Sequence, residues 1–392
     1  MGKIRGGRKA GAWLLAGTLL LSLTGCAQVD SSLMMLGAKK SPYYQLGDTT
    51  WEHGGIEEYY FNQIPSELNE IYRELYERIR DGEDEAQLYA QVPIDDFWTA
   101  YYAVMADHPE FFWVGTNVTA QEAAMSGRVV SYQLTATVPP EQRADMKSRL
   151  EQAADSCIAS IPEGSSDYQK IRYVYEYLIN TTDYEPGSPD NQNIQSALLN
   201  RRSVCAGYAR AFQYILHRMG MFCTYVTGKT RDGGDHAWNI VRIGDMYYHV
   251  DVTWGDPVFV GVAGDGHEII NYNYLCCTDE EIGRTHRTET SVPMPPCSDA
   301  SLNFYRLSGA YYEYFDYDVV HQALMDSVYN DRDSIVMKFG SEVAYESAKW
   351  NLFSGSMLTD PAQYLMDVYG TGTWNYSYRT DDDFYLITIF WR

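Results

Sequence analysis

The chain has 392 residues, 45% of them hydrophobic and 21% charged, with a formal net charge of −23. Such a length exceeds one ordinary core and reads as two or three folded domains, not as disorder. The acidic balance excludes nucleic acid, whose backbone is read by Lys and Arg, and excludes electrostatic docking on anionic membranes. The 34 tyrosines are spread along the sequence and read as core and surface packing in preference to a sugar-binding face.

The start of the chain stands apart. "MGKIRGGRKA" carries Lys3, Arg5, Arg8 and Lys9 with no acid, and "GAWLLAGTLLLSL" follows as an apolar run too short for a comfortable membrane span. That is the pattern of an export signal, assigned to residues 1–25. "LTGC", residues 23–26, resembles the lipobox of bacterial lipoproteins. The resemblance implies cleavage before Cys26 and lipidation of its thiol. The protein would then sit, exported, on the outer face of the bacterial cytoplasmic membrane, with the N-terminal lipid as its only membrane attachment. Residues 26–50 are polar and irregular and read as a tether.

In chain order, "SELNEIYRELYERIRDG" predicts a helix with Ser66 as N-cap and Gly82 near its end. "PIDDFWTAYYAVMADHPEFFWV" predicts a second helix that stops before Pro109 and runs into an aromatic strand. "RVVSYQLTATV" alternates as a strand, and residues 51–140 form a small α/β domain. "PEQRADMKSRLEQAADSCIASI" and "DYQKIRYVYEYLINTTDYE" are helices, followed by a loop at 184–193 rich in Gly, Pro, Asn and Asp. Tyr208, Phe212, Ile215 and Met219 then recur at helical spacing up to Gly220. "FCTYVTGKT", "HAWNIVRIG" and "MYYHVDVTW" are strand-like, completing a segment 141–300. Beyond "SVPMPPCSD", residues 301–392 alternate strand and helix as a second small α/β domain and close in a hairpin around "RTDDDF".

Six cysteines follow Cys26, with no C-x-x-C pair and hence no usual zinc signature. Pairing among Cys157, Cys223, Cys276, Cys277 and Cys297 stays open. Cys205 stands at a predicted helix start, where unpaired N–H groups and the dipole favour a thiolate, and Gly207 leaves room for a substrate backbone. By itself a lone cysteine is more often a small buried hydrophobe. The hairpin changes that balance. With Gly244-Asp245 as its turn, Ile243 opposes Met246, His236 opposes Thr253 and Trp238 opposes Asp251. His236 and Asp251 then share a face as diagonal neighbours about 7 Å apart. These are the parts of a thiol triad: Cys205 attacks an acyl carbon, His236 carries its proton, and Asp251 orients the ring. A metal hydrolase would use His236, His249 and Asp251, but no H-E-x-x-H helix accompanies them, and neither metal nor other cofactor is expected.

"SVCAGYARAFQYILHRMGM…TGK…DHAWNIVRIGDMYYHVDVTWGDP" resembles the transglutaminase-like superfamily of cysteine acyltransferases and peptidases over residues 165–257. The resemblance implies an α+β fold. Its papain-like core has the Cys-bearing helix packed on an antiparallel sheet that carries His and Asp, here flanked by the two small α/β domains. It assigns Cys205 as nucleophile, His236 as base and Asp251 as orienting acid. The backbone N–H of Cys205 and the side chain of Gln195 are candidate oxyanion donors. Gly207, Tyr208 and Trp238 are candidates for the substrate cleft, Trp254 reads as core, and Asp256 tightens the turn before Pro257. No EF-hand pattern appears, so no calcium requirement is expected. The implied activity is that of a cell-surface thiol enzyme cleaving or exchanging amide bonds through a thioester. Its substrate would be a protein, a peptide or a cell-wall peptide, with hydrolysis and transamidation both open. The competing reading is a non-catalytic surface lipoprotein that binds peptide or glycan; the complete triad stands against it.

Overall fold

The computed structural model describes residues 41–43, 52–53, 55–256 and 270–391. The export signal, Cys26, almost all of the tether and Pro257 lie outside the described residues.

Helices α1 (Tyr59–Gln63), α2 (Asn69–Arg80) and α3 (Ile94–Asp107) pack with an antiparallel sheet of β1 (Glu85–Val92), β2 (Val114–Glu122) and β3 (Val129–Ala136), ordered β1-β3-β2. In α2 the buried Ile71, Tyr72, Leu75, Tyr76 and Ile79 follow helical spacing and face the core. Ser66 caps nothing here: it opens a short 3₁₀ turn, Ser66–Leu68, and α2 starts after it. The last residue of α3, Asp107, accepts the backbone N–H groups of Tyr60 and Phe61 at 2.9 and 3.0 Å and the Tyr72 hydroxyl at 2.8 Å. It thereby satisfies donors that the start of α1 leaves unpaired.

α4 (Pro140–Ala159) and α5 (Asp167–Thr181) follow, the latter opened by a capping box between Ser166 and Gln169. α6 (Cys205–Arg218) ends in a turn where Gly220 adopts φ +70°, which the absence of a side chain permits. It packs on an antiparallel sheet ordered β7-β6-β5-β4-β8. The strands are β4 (Cys223–Thr230), β5 (Asp235–Ile243), β6 (Met246–Val250), β7 (Leu275–Cys277) and β8 (His286–Thr288). The β5–β6 hairpin pairs Ile243 with Met246, as its turn residues require, but the ladder ends at Val250 opposite Asn239. Asp251 then caps a helical turn, α7 (Val252–Gly255), so Thr253 does not oppose His236.

One apolar core runs from Tyr59 to Val292. Polar bonds cross it as well: Tyr60 donates to the Tyr225 carbonyl at 2.8 Å, Arg210 to that of Met105 at 2.6 Å, and Gln213 to that of Ala106 at 2.8 Å. Segments 51–140 and 141–300 therefore share a single interior.

The C-terminal part gathers a second core around Leu324, Met337, Tyr345, Ile387 and Trp391. Its sheet has β9 (Tyr311–Tyr312) parallel to β10 (Ser334–Phe339), then β12 (Leu386–Phe390) and β11 (Ser377–Asp381) antiparallel, the last two joined as the hairpin read from "RTDDDF". Helices α8 (Tyr317–Tyr329), α9 (Glu342–Phe353) and α10 (Thr359–Tyr369) complete it. The buried Lys338 links this part to the rest, donating to Asn273 Oδ1 at 2.9 Å. All six cysteines among the described residues are free and buried. No described helix is long and apolar enough to cross a membrane.

Candidate active site

Val204, in extended conformation, hands the chain to α6 without a side-chain cap, so the first N–H groups of the helix, that of Cys205 included, have no intrahelical partner. The approach is fixed from behind. Asp183–Tyr184 pairs in parallel with Arg202–Ser203, and Ser196 and Ser203 share a 2.6 Å hydroxyl bond. That bond lies against Gly207. A Cβ there would collide with Ser203 Oγ and come within 2.6 Å of Ser196 Oγ and 2.8 Å of the Asn191 carbonyl. The space beside Gly207 is filled by the protein's own loop, not open to substrate as the sequence suggested. The missing side chain lets α6 close on the Ser196–Ser203 turn.

His236 lies on β5 opposite Gly228 of β4, and its Nε2 is 2.6 Å from Asp251 Oδ2. The Cys205 thiol lies close enough to the ring to help raise its pKa. With Nε2 engaged by the acid, Nδ1 is the ring nitrogen left open to another partner. The three residues expose 8%, 7% and 0% of their surfaces for Cys205, His236 and Asp251, so this polar chain is almost entirely shielded from water. Burial opposes a charge on His236. The negative charge and hydrogen bond of Asp251, then the contact with Cys205, outweigh it and push the ring up to about 10. Burial likewise opposes ionisation of Asp251, but His236 and His286 hold its carboxyl well below the usual range. Its other oxygen accepts the Trp254 backbone N–H at 3.1 Å, which fixes the carboxylate plane.

His286 is the residue that the sequence reading missed. It sits on β8 opposite Thr230, and His236 sits opposite Gly228 two residues back along β4. The two rings therefore project on one face, 5.0 Å apart. His286 Nε2 is 3.1 Å from Asp251 Oδ2, out of line for a well-formed hydrogen bond, and Nδ1 meets Thr285 Oγ1 at 2.7 Å. Burial lowers its pKa against the pull of Asp251. Trp238, Trp254 and Tyr274 surround it. Only the β4–β8 pairing, some fifty residues beyond His236, could have revealed it.

The other candidates are placed differently from expectation. Tyr208 is fully buried, donating to the Thr182 carbonyl and to Asp256 Oδ2 at 3.2 Å. It is a core strut, and Asp256 anchors it as well as the turn. Trp238 is also core, packed with Val226, Ile240 and Cys297, although its ring stacks on His236 at 6.0 Å. Trp254, expected in the core, is partly exposed and borders a cavity. Gln195 precedes a π-helical turn, Ser196–Asn200, and its side chain makes no hydrogen bond among the described residues.

Two groups of described residues bring ligand-type atoms within 4.8 Å of one another: His236, Asp251 and His286, and His249, Asp279 and Cys297. The set His236, His249 and Asp251 is not assembled, because His249 Nε2 turns to Asp279 at 2.9 Å.

Residues 157–252 match the family model described as the transglutaminase-like superfamily. Two curated proteins named kyphoscoliosis peptidase are similar over 111 residues, that of Mus musculus at 25% identity and that of Homo sapiens at 24%. The match covers 24% of this chain and only 17% of the length of either relative. Among solved structures, one described as a TGase overlaps 39% of this chain and 47% of its own at 15% identity and a TM-score of 0.26. A proposed cysteine protease of Cytophaga hutchinsonii overlaps 47% and 78% respectively, at 14% identity and a TM-score of 0.25.

Proposed function

From the premise that residues 157–252 form a transglutaminase-like domain, we propose that the protein is a thiol enzyme that acts on amide bonds through a Cys205 thioester. The observation that carries the reading is the position of the His236 ring, near enough to the Cys205 thiol to be charged more readily by it and 2.6 Å from Asp251.

The Cys205 proton passes to His236 Nδ1, and the sulfur attacks the amide carbon. The oxyanion is met by the Cys205 backbone N–H at the start of α6, with Gln195 as the side-chain candidate. The imidazolium returns its proton to the departing amine, which leaves a thioester. Water or a second amine, deprotonated by His236, then attacks the thioester and frees the sulfur. Asp251 holds the ring with Nε2–H toward itself and stabilises the charged form throughout. Water as acceptor gives a peptidase or amidase and an amine gives a transamidase; the residues serve both. The substrate class we propose is a protein, a peptide or a cell-wall peptide. The "LTGC" motif supports a location at the outer face of the cytoplasmic membrane, through a lipidated Cys26, as part of this reading.

The other thiols supply an internal control. Burial pushes Cys157 up to about 12 and raises Cys223, Cys276, Cys277 and Cys297 as well. Iodoacetamide at pH 6, followed by peptide mass spectrometry, should therefore label Cys205 first. Incubation with surface-extract peptides should leave an acyl adduct on Cys205 that is absent from Cys205→Ala. Slow, uniform labelling of all accessible thiols, with no adduct, would sink the enzymatic reading.

A further inference from the structure

Between the site and the C-terminal sheet lies a cavity of about 650 Å³. Trp254, whose ring centre is 6.1 Å from that of His236, and Tyr274 form its wall on the site side. Tyr272 and Phe304, stacked at 3.7 Å, form another, and Phe384 and Asp381 enter from the β11–β12 hairpin. The Tyr272–Phe304 pair already attracts a cation: the Arg172 guanidinium lies 5.5 and 5.1 Å from the two rings.

Asp381 is the acid on this wall that makes no ion-pair contact among the described residues, although the Lys338 charge acts on it from a distance. Its Oδ1 accepts the backbone N–H groups of Asp383 and Phe384, each at 3.1 Å, while Oδ2 takes no hydrogen bond and the carboxylate no ion pair among the described residues. Its neighbours are occupied, Asp383 by Arg231 and Asp382 by Tyr345 and Lys349. Lys338, the nearby buried cation, is engaged by Asn273, the Phe384 carbonyl and, at 3.7 Å, the Glu281 carboxylate. Burial raises the Asp381 carboxyl above the usual range, so an incoming cation would relieve a desolvated charge. Arg379, the one cation among the described residues of the wall, lies over the Phe390 ring at 5.3 Å. Aromatic faces beside a half-satisfied carboxylate suit one ligand chemistry: a positive nitrogen carried on an apolar stem.

We propose that this cavity is a recognition subsite for an alkylammonium group, of the kind a lysine side chain presents, held by the Asp381 carboxylate and the surrounding rings. It acts by binding alone; no bond is made or broken there, and the thiol chemistry is not required for it. The C-terminal part would then contribute to the choice of ligand.

The test uses the Cys205→Ala protein and three matched probes, pentylamine, 1-pentanol and pentanoate, with affinity measured by calorimetry or ligand-observed NMR. Pentylammonium should bind at least about tenfold tighter than pentanol, the scale of one charge-assisted hydrogen bond. Asp381→Asn, which keeps the Oδ1 acceptor that closes the turn, should abolish that advantage. Phe304→Ala should weaken both ligands. Equal affinity for amine and alcohol on the unmutated cavity, or a preference for pentanoate that would make Arg379 the governing group, overturns the proposal whether or not the variants fold. Iodoacetamide labelling of Cys205 in the wild type reads the thiol chemistry separately, so the two readings fail by different results.

Discussion

Trp238 donates its indole N–H to Nδ1 of His249 over 2.9 Å, and this bond decides the tautomer of the histidine. Nδ1 must carry the lone pair, so Nε2 carries the proton and gives it to Asp279 Oδ1 at 2.9 Å. A metal at Nε2 would need the opposite tautomer, which sets the His249–Asp279–Cys297 group apart from a prepared metal site. The relay instead holds the Trp238 ring in place, and that ring stacks on His236. Across the sheet, Gly228 makes the stack possible: a Cβ there would collide with the Arg287 carbonyl and come within 2.7 Å of the Trp238 ring.

Removing the His236 ring should slow alkylation of Cys205 by about ten- to a hundredfold at pH 6, since the imidazole is the base the proposed mechanism sets against the sulfur. Asp251→Asn should slow it less, because the ring remains. Its amide keeps an acceptor for the Trp254 N–H, so the fold should survive. Time-resolved mass spectrometry of the Cys205 peptide checks both.

The pH dependence of stability follows from the same pair. His236 is raised from 6.5 to about 10, so the folded state binds this proton more tightly than the unfolded chain. Its contribution is in full force below about pH 6.5 and is lost as pH rises toward about 10. Asp251 is depressed, so its contribution is present above about pH 4, the ordinary carboxylate range, and is lost only in stronger acid. The melting-temperature gap between wild type and Asp251→Asn should therefore be widest near pH 5–6 and shrink by pH 10.

His286→Phe fills the same aromatic surroundings but removes the nitrogen 3.1 Å from Asp251. Without it the carboxylate loses one of the two rings that keep it ionised. Cys205 alkylation should fall severalfold and its acid limb should move to higher pH. His286→Gln, which returns a polar N–H to the neighbourhood of the carboxylate, should restore the limb. An unmoved limb would reduce His286 to packing.

Gly207→Ala should destabilise the protein by about 1–3 kcal/mol, because the added carbon meets two hydroxyls and a backbone carbonyl with no room to relax. Chemical denaturation measures this. Any loss of thiol reactivity should track the misplacement of Cys205 at the same helix start.

What the sequence makes legible here is local chemistry. Gly220 and the apolar spacing mark α6, and Gly244-Asp245 sets a hairpin register that carries His236 toward Asp251. "VDVTW" alternates like a strand, yet Asp251 can accept an N–H three residues on, and that capping bond wins over the ladder. Strand β1 does alternate, with Ala86, Leu88, Ala90 and Val92 inward, but two of these are alanines and its outward Glu and Gln are weak strand formers, so the pattern is faint. Tyr208 and Trp238 sit beside candidate functional residues in the chain, which suggested a cleft. Their partners, Asp256 and His249, lie elsewhere in sequence, and burial arises from those pairings. His286 depends wholly on such a pairing.

The interior that joins Tyr59 to Val292 has a bearing on any attempt to isolate the reactive part. A fragment cut to residues 157–252 would strip α6 of its lid: Arg210 and Gln213 would lose their acceptors at the end of α3, the carbonyls of Met105 and Ala106, and keep their contacts with β4. The smallest autonomous piece should begin near Tyr59. Substitutions in that leading third, far from any thiol, should then be heard at Cys205 through the tilt of its helix.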